Sequence, residues 1–188
     1  MNKHLVLLSG FTQSEAHYNG ITELALKLRS TLPAADNVWV HTPPYLWRRR
    51  ENTIGAFLQQ AGAKEVMIVG YSWGGNKAIK LAEELQDRGI KVPYMVLSDP
   101  VRRPAGPAVI GKIPFMRELL AFKLPENVGK CHVFLQEGDW PTGFPVRGSF
   151  LTEVETTVVE EVPHDLMDNL PEFHRQASEF LQKFSKEK

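Results

Sequence analysis

Along the chain, short and uniformly apolar runs alternate with longer stretches in which apolar residues return every three or four positions. The first pattern is that of strands covered on both faces, the second that of helices laid against them. Six strands are predicted, at residues 4–9, 37–41, 65–69, 93–98, 131–136 and 155–162. Residues 66–69, 95–97 and 133–135 are apolar without alternation and read as interior strands of a parallel sheet. Helical spacing joins Ile21, Leu24, Ala25 and Leu28, and again Ile54, Phe57, Leu58 and Ala61, which a terminating Gly62 follows. A third helix is expected to begin near Gly74, to carry Ala78, Leu81, Ala82 and Leu85 on one face, and to stop at Gly89. The last places Leu170, Phe173, Ala177, Phe180, Leu181 and Phe184 on one stripe. Repeated strand-then-helix units predict the α/β class: a three-layer α/β/α sandwich on a mostly parallel six-stranded sheet, as one domain over residues 1–188.

One stretch breaks the rhythm. Residues 100–125 hold five prolines with Gly106 and Gly111, and an apolar cluster of Ile113, Phe115, Met116, Leu119, Leu120 and Phe122. An excursion with a short helix is expected. It leaves the C-terminal end of a strand, where open α/β sheets keep their binding crevice, and so reads as a cap or substrate-facing flap, with an ordinary packed connection as the alternative.

Composition narrows the function classes. Hydrophobic residues at 43% and charged residues at 23% exclude a disordered or coiled-coil chain, and 188 residues suffice to bury roughly two-thirds of the unfolded surface without staples. The 22 basic residues balance the 22 acidic ones, which speaks against a general polyanion binder. Arg48, Arg49 and Arg50 beside Tyr45 and Trp47, and the pair Arg102 and Arg103, are therefore read as solvated surface, and no nucleic-acid partner is expected. Cys131 is the single cysteine, so neither a disulfide framework nor a zinc finger is expected. The apolar run at residues 5–8 is too short for a signal peptide, and no run approaches the ~18 residues that span a bilayer, so a cytoplasmic location without a membrane span is expected.

The strongest chemical signal is Gly70-Tyr71-Ser72-Trp73-Gly74, a G-x-S-x-G pattern directly after an apolar strand and directly before a helix. A serine on a sharp strand-to-helix turn needs small residues two before and two after it, and its hydroxyl then projects above the sheet. The following helix aims its N-terminus at that point, where developing negative charge is stabilised. A nucleophilic serine requires a base, and the base requires an orienting acid. Asp139 follows the fifth predicted strand and His164 the sixth, which supplies both in chain order. Asp99, at the end of the fourth strand, is the rival acid; Glu137 and Asp165 also compete. The backbone N–H groups of Trp73 and Phe11 are the expected oxyanion donors, Phe11 because Gly10 turns the chain at the end of the first strand, with Thr12 or Gln13 as possible helpers. Phe11, Trp73, Trp140 and Phe144 all adjoin predicted site residues, either as pocket lining or as core.

From residue 5 to the last helix the chain resembles the serine α/β-hydrolase superfamily, of the small lipase/esterase type. The resemblance implies Ser72 as nucleophile, Asp139 as acid, His164 as base, and an oxyanion hole from Phe11 and Trp73. It departs from many relatives in having Ser9-Gly10-Phe11 where they carry His-Gly, and in starting at the strand before the oxyanion loop, a minimal version of the fold. The implied activity is hydrolysis of a small carboxylic ester or acyl substrate through an acyl-enzyme, with no cofactor and no metal. Thioester or amide cleavage, acyl transfer, and a non-catalytic binding role on the same fold are the alternatives.

Overall fold

The computed structural model describes residues 2–11, 13, 18–32, 38–42, 51–102 and 118–187. Strands β1 (Asn2–Leu8), β2 (Val38–His41), β3 (Ala63–Tyr71), β4 (Val92–Ser98), β6 (Val128–Gln136) and β8 (Glu153–Val159) form one six-stranded sheet in the order β2-β1-β3-β4-β6-β8. Every pairing in it is parallel. In a parallel pair each strand ends beside its neighbour's end, so all six C-terminal ends lie along one edge of the sheet.

The interior strands lack alternation because both of their faces are covered. Val6 and Leu8 of β1, Val66 and Ile68 of β3, and Val133 and Leu135 of β6 face helices α2 (Glu51–Gln60) and α3 (Trp73–Asp87) in one apolar cluster. Leu5 and Leu7, Met67 and Val69, and Phe134 face α1 (Gly20–Thr31) and α4 (Pro171–Lys186) in the other. Fully burying one such side chain is worth about 1.5–3 kcal/mol, which is why packing, rather than helix propensity, holds the layers. The helix ends follow local chemistry. Asn19 and Thr22 form a reciprocal capping box at α1, Gly62 takes φ 74° after α2 and Gly89 takes φ 67° after α3.

The six predicted strands and the four helices expected to pack on them are present, with shifted ends. β8 stops at Val159 instead of residue 162, because Glu161 turns into the left-handed region at φ 59° and leaves the ladder. Of the excursion at 100–125, residues 103–117 lie outside the described residues, and with them Ile113, Phe115, Met116 and Arg103; Tyr45, Trp47, Arg48, Arg49, Arg50 and Thr12 lie outside them too. Its described end contains an unpredicted strand, β5 (Phe122–Lys123), paired in parallel with β7 (Val146–Arg147). Phe122, Leu124 and Val146 are buried there against the α3 face of the sheet. Among the described residues no helix is long and apolar enough to cross a membrane.

Candidate active site

At the end of β3 the chain turns so sharply that Ser72 takes φ 55° and ψ −122° before α3 begins at Trp73. Two glycines make the turn possible. A Cβ on Gly74 would stand 2.1 Å from the Leu8 carbonyl oxygen, and one on Gly70 would stand 2.8 Å from the Gly74 carbonyl. Backbone therefore packs on backbone at both positions, which is the physical content of the small-x-Ser-x-small spacing. The turn is pinned by the Ser72 N–H donating to the Ser98 carbonyl at 2.8 Å, and by the Ser72 carbonyl accepting from Gly75 and Val101. Trp73, as the first residue of α3, points its N–H out of the helix N-terminus beside the serine.

His164 opens a short 3₁₀ turn (His164–Leu166) directly after Pro163. Its Nε2 lies 2.8 Å from Ser72 Oγ. Its Nδ1 lies 2.5 Å from Oδ2 of Asp99, not of Asp139. The carboxylate at Nδ1, expected to be that of Asp139, is therefore that of Asp99, which follows β4, the strand next to β3. Asp99 is fully buried, in a left-handed conformation at φ 43° that aspartate tolerates better than most residues. Its other oxygen accepts the N–H groups of Gly143 (3.0 Å) and Gln136 (3.3 Å). A side chain at Gly143 would collide with that carboxylate, its Cβ only 2.2 Å from Oδ1. A neutral His164 ring that donates from Nδ1 to this acceptor leaves the Nε2 lone pair facing the serine.

Asp139 is still part of the site. It is exposed, and its Oδ2 accepts the backbone N–H of His164 at 2.9 Å. That bond, and one from the Trp140 N–H, hold its carboxyl below the usual carboxylate range. Gln136 braces the Asp139 loop from inside, accepting the Asp139 N–H and donating to the carbonyls of Asp139 and Pro141. Tyr71, beside the serine, donates its hydroxyl to the His164 carbonyl at 2.8 Å, and burial pushes its phenol far up.

The N-terminal side of the site is the end of β1. Gly10 packs against Tyr71, whose Cε1 would lie 2.9 Å from a Cβ at that position. Phe11 meets the Trp73 ring edge-on at 6.3 Å. Phe11, Trp140 and Leu166 are each more than half or half exposed along this edge of the sheet, while Phe144 packs against the core. Ser72, His164, Phe11 and Trp73 are therefore brought to one edge as expected from their positions. Gln136 and Gly143 were not singled out in the sequence, and Tyr71 only as a variable position of the serine motif, because their contacts depend on which strands become neighbours. Among the described residues no group of three or more His, Cys, Asp or Glu side chains is arranged to hold a metal ion.

No family model matches the sequence, and no curated protein matches it. Solved structures do resemble it. A predicted CIB-like hydrolase from Thermoplasma acidophilum superimposes with a TM-score of 0.58 at 16% identity, over 96% of this chain and 86% of that one. The type II thioesterase BorB from the borrelidin biosynthetic cluster does so with a TM-score of 0.60 at 15% identity, over 95% and 92%. An α/β-hydrolase superfamily protein from Enterococcus faecalis gives 0.57 at 13% identity, over 97% and 91%. At these identities the likeness concerns the fold.

Proposed function

We propose that this chain, which has the α/β-hydrolase fold, is a serine hydrolase that cleaves a carboxylic ester through an acyl-enzyme, with Ser72, His164 and Asp99 as its catalytic triad. The observation that carries the reading is the unbroken run of contacts from Ser72 Oγ through both ring nitrogens of His164 to the buried Asp99 carboxylate. Burial matters because the imidazolium formed during the reaction is stabilised by a nearby carboxylate far better in a water-poor site than in water.

The steps follow from these positions. Ser72 Oγ bonds to the ester carbonyl carbon as its proton passes to His164 Nε2, and Asp99 stabilises the resulting imidazolium. The carbonyl electrons become an oxyanion, for which the Trp73 and Phe11 N–H groups are the proposed donors. When the carbonyl re-forms, the C–O bond to the alcohol breaks and the alcohol takes the proton from Nε2. Water then gives a proton to Nε2 and attacks the acyl carbon. Collapse releases the acid and returns the proton to Ser72 Oγ.

The test is covalent labelling by a fluorophosphonate, with peptide mass spectrometry to locate the adduct. Labelling at Ser72 that disappears in Ser72→Ala, together with a loss of p-nitrophenyl ester hydrolysis of roughly 10³-fold or more in that variant, is expected. A folded wild-type protein that neither labels at Ser72 nor turns over an ester would overturn the reading. Thioester cleavage is the second reading, favoured by the thioesterases among similar folds, BorB and the RedJ thioesterase from Streptomyces coelicolor. The same triad chemistry serves it, and comparing oxygen and sulfur esters of one acid separates the two.

A further inference from the structure

Behind the triad lies a second set of polar contacts that these steps do not use. Gln13 accepts the Gly10 N–H through Oε1 at 3.1 Å and donates through Nε2 to Oδ2 of Asp168 at 2.5 Å. The same Asp168 oxygen accepts the Gly20 N–H at 2.9 Å, at the first residue of α1, and Oδ1 accepts from Asn169 Nδ2 at 3.2 Å. Asp168 lies four residues beyond His164, and its carbonyl accepts from His174 Nε2 at 2.7 Å. The approach to α1 is tight: a Cβ at Gly20 would stand 2.2 Å from the Asp168 carbonyl oxygen.

These bonds join two loops that the sheet itself does not join. The Gly10 turn follows β1 and the His164 turn follows β8, and β3, β4 and β6 lie between those strands. At about 4.8 Å per strand the two strands are some 19 Å apart; the His164 turn reaches back over β3 and β4, where Tyr71 and Ser98 donate to the carbonyls of His164 and Met167, and Gln13 with Asp168 closes the remaining distance to the Gly10 turn. The cost of the pair also marks it. Asp168 is 1% exposed, and an ionised carboxyl in such a place is unfavourable unless donors surround it. Burial pushes its carboxyl above the usual range, against the pull of the Gln13 and Gly20 donors. An apolar residue would fill the space at less expense, but would tie nothing together.

We propose that Gln13 and Asp168 are positioning residues: as a strut they fix the Gly10-Phe11 turn relative to the His164 turn, so that oxyanion donor and base address the same carbonyl. The strut rests on the serine-hydrolase reading above. It acts on a geometry that must hold to well under an ångström in the transition state, so breaking it lowers kcat while leaving substrate affinity nearly untouched.

Steady-state kinetics on a p-nitrophenyl ester, with circular dichroism and thermal unfolding of each variant, test this. Gln13→Glu keeps an oxygen for the Gly10 N–H but sets one carboxylate against another. Its kcat is expected to fall about 10- to 100-fold with KM within about 2-fold. Asp168→Leu removes the acceptor altogether and is expected to match it, whereas Asp168→Asn keeps an oxygen for Gln13 and Gly20 and should stay within about 3-fold of wild type. Wild-type kcat in folded Gln13→Glu, a loss expressed in KM alone, or an Asp168→Asn as impaired as Asp168→Leu would each overturn the strut. If Asp168→Leu does not fold, Gln13→Glu, at a half-buried position on the other loop, decides alone. Failure of the underlying reading is separate and appears first, as a wild-type protein that a fluorophosphonate does not label at Ser72.

Discussion

His164 meets two carboxylates, Asp99 at Nδ1 and Asp139 at its backbone N–H. In the proposed mechanism the first contact orients the ring and balances the charge that appears on it, whereas the second holds the turn. Replacing each acid by its amide separates these effects, because an asparagine at 139 still offers an oxygen to a backbone N–H, while one at 99 offers no charge and permits the wrong tautomer. Asp99→Asn is expected to lower kcat by about 10³- to 10⁴-fold and Asp139→Asn by less than about 10-fold; kinetics showing the reverse order would return the acid to Asp139. That Ser72 and His164 would meet was legible in the sequence because each position depends on its own neighbours: Gly70 and Gly74 around a turn, and a loop between a strand and a helix. Which carboxylate would meet the imidazole was not, since Asp99 and Asp139 follow strands, β4 and β6, that both reach this edge. What separates them is depth. Asp99 is enclosed by Gln136 and Gly143, whereas Asp139 stands outside in solvent.

Elements were read more securely than residues, because a period needs only enough repeats to be seen. β1, β3, β4 and β6 each carry continuous apolar runs, and the four helices carry stripes that now lie in the two clusters. β5 and β7 escaped because two residues have no period. One element carries a chemical peculiarity: on the edge formed by β1 and β2, His4 Nδ1 and His41 Nε2 approach to 3.0 Å with their rings stacked. Burial, and then the neighbouring His41, push the His4 imidazole down to about 4; burial and then Arg29 lower His41 in the same direction. In the unfolded chain both titrate near the ordinary value of about 6.5, so between about pH 6.5 and 4 the unfolded state binds more protons. The stability from keeping His4 neutral is therefore complete above about pH 6.5 and is lost as pH falls toward about 4. Denaturant unfolding from pH 7.5 to 5 should reveal this slope, and His4→Leu should flatten it; an unchanged slope in the variant would assign the acid sensitivity elsewhere. In the first turn of α3, Gly74→Ala sets a Cβ against the Leu8 carbonyl and is expected to cost about 1–3 kcal/mol of stability, measurable in the same titration.

Across the whole molecule the sheet separates the candidate chemistry from much of the anchoring. Ser72, Asp99, Asp139 and His164 all follow strand C-terminal ends, so the proposed triad occupies one edge of the sheet. The opposite edge is closed by the end of α4, where Lys3, near the start of β1, donates to the carbonyls of Phe184 and Glu187 and sets its ammonium 5.0 Å from the Phe184 ring. Phe184 is fully buried, far from the triad along the strands. Truncating it opens a cavity in the α1–α4 layer, and Phe184→Ala is expected to cost about 3–5 kcal/mol, a fall in Tm on the order of 10 °C for a chain of this size. At a temperature where the variant remains folded, kcat should stay within about 2-fold of wild type, since nothing at the triad moves. Phe173→Ala is the matched control. Phe173 begins the same helix beside His174, whose Nε2 holds the Asp168 carbonyl, and it packs edge-on against Phe134 of β6. It should cost a similar amount of stability and lower kcat as well, because its cavity opens under the turn that carries His164. Equal effects of the two truncations on kcat would mean that strain crosses the length of the sheet, and that site and anchor are not independent.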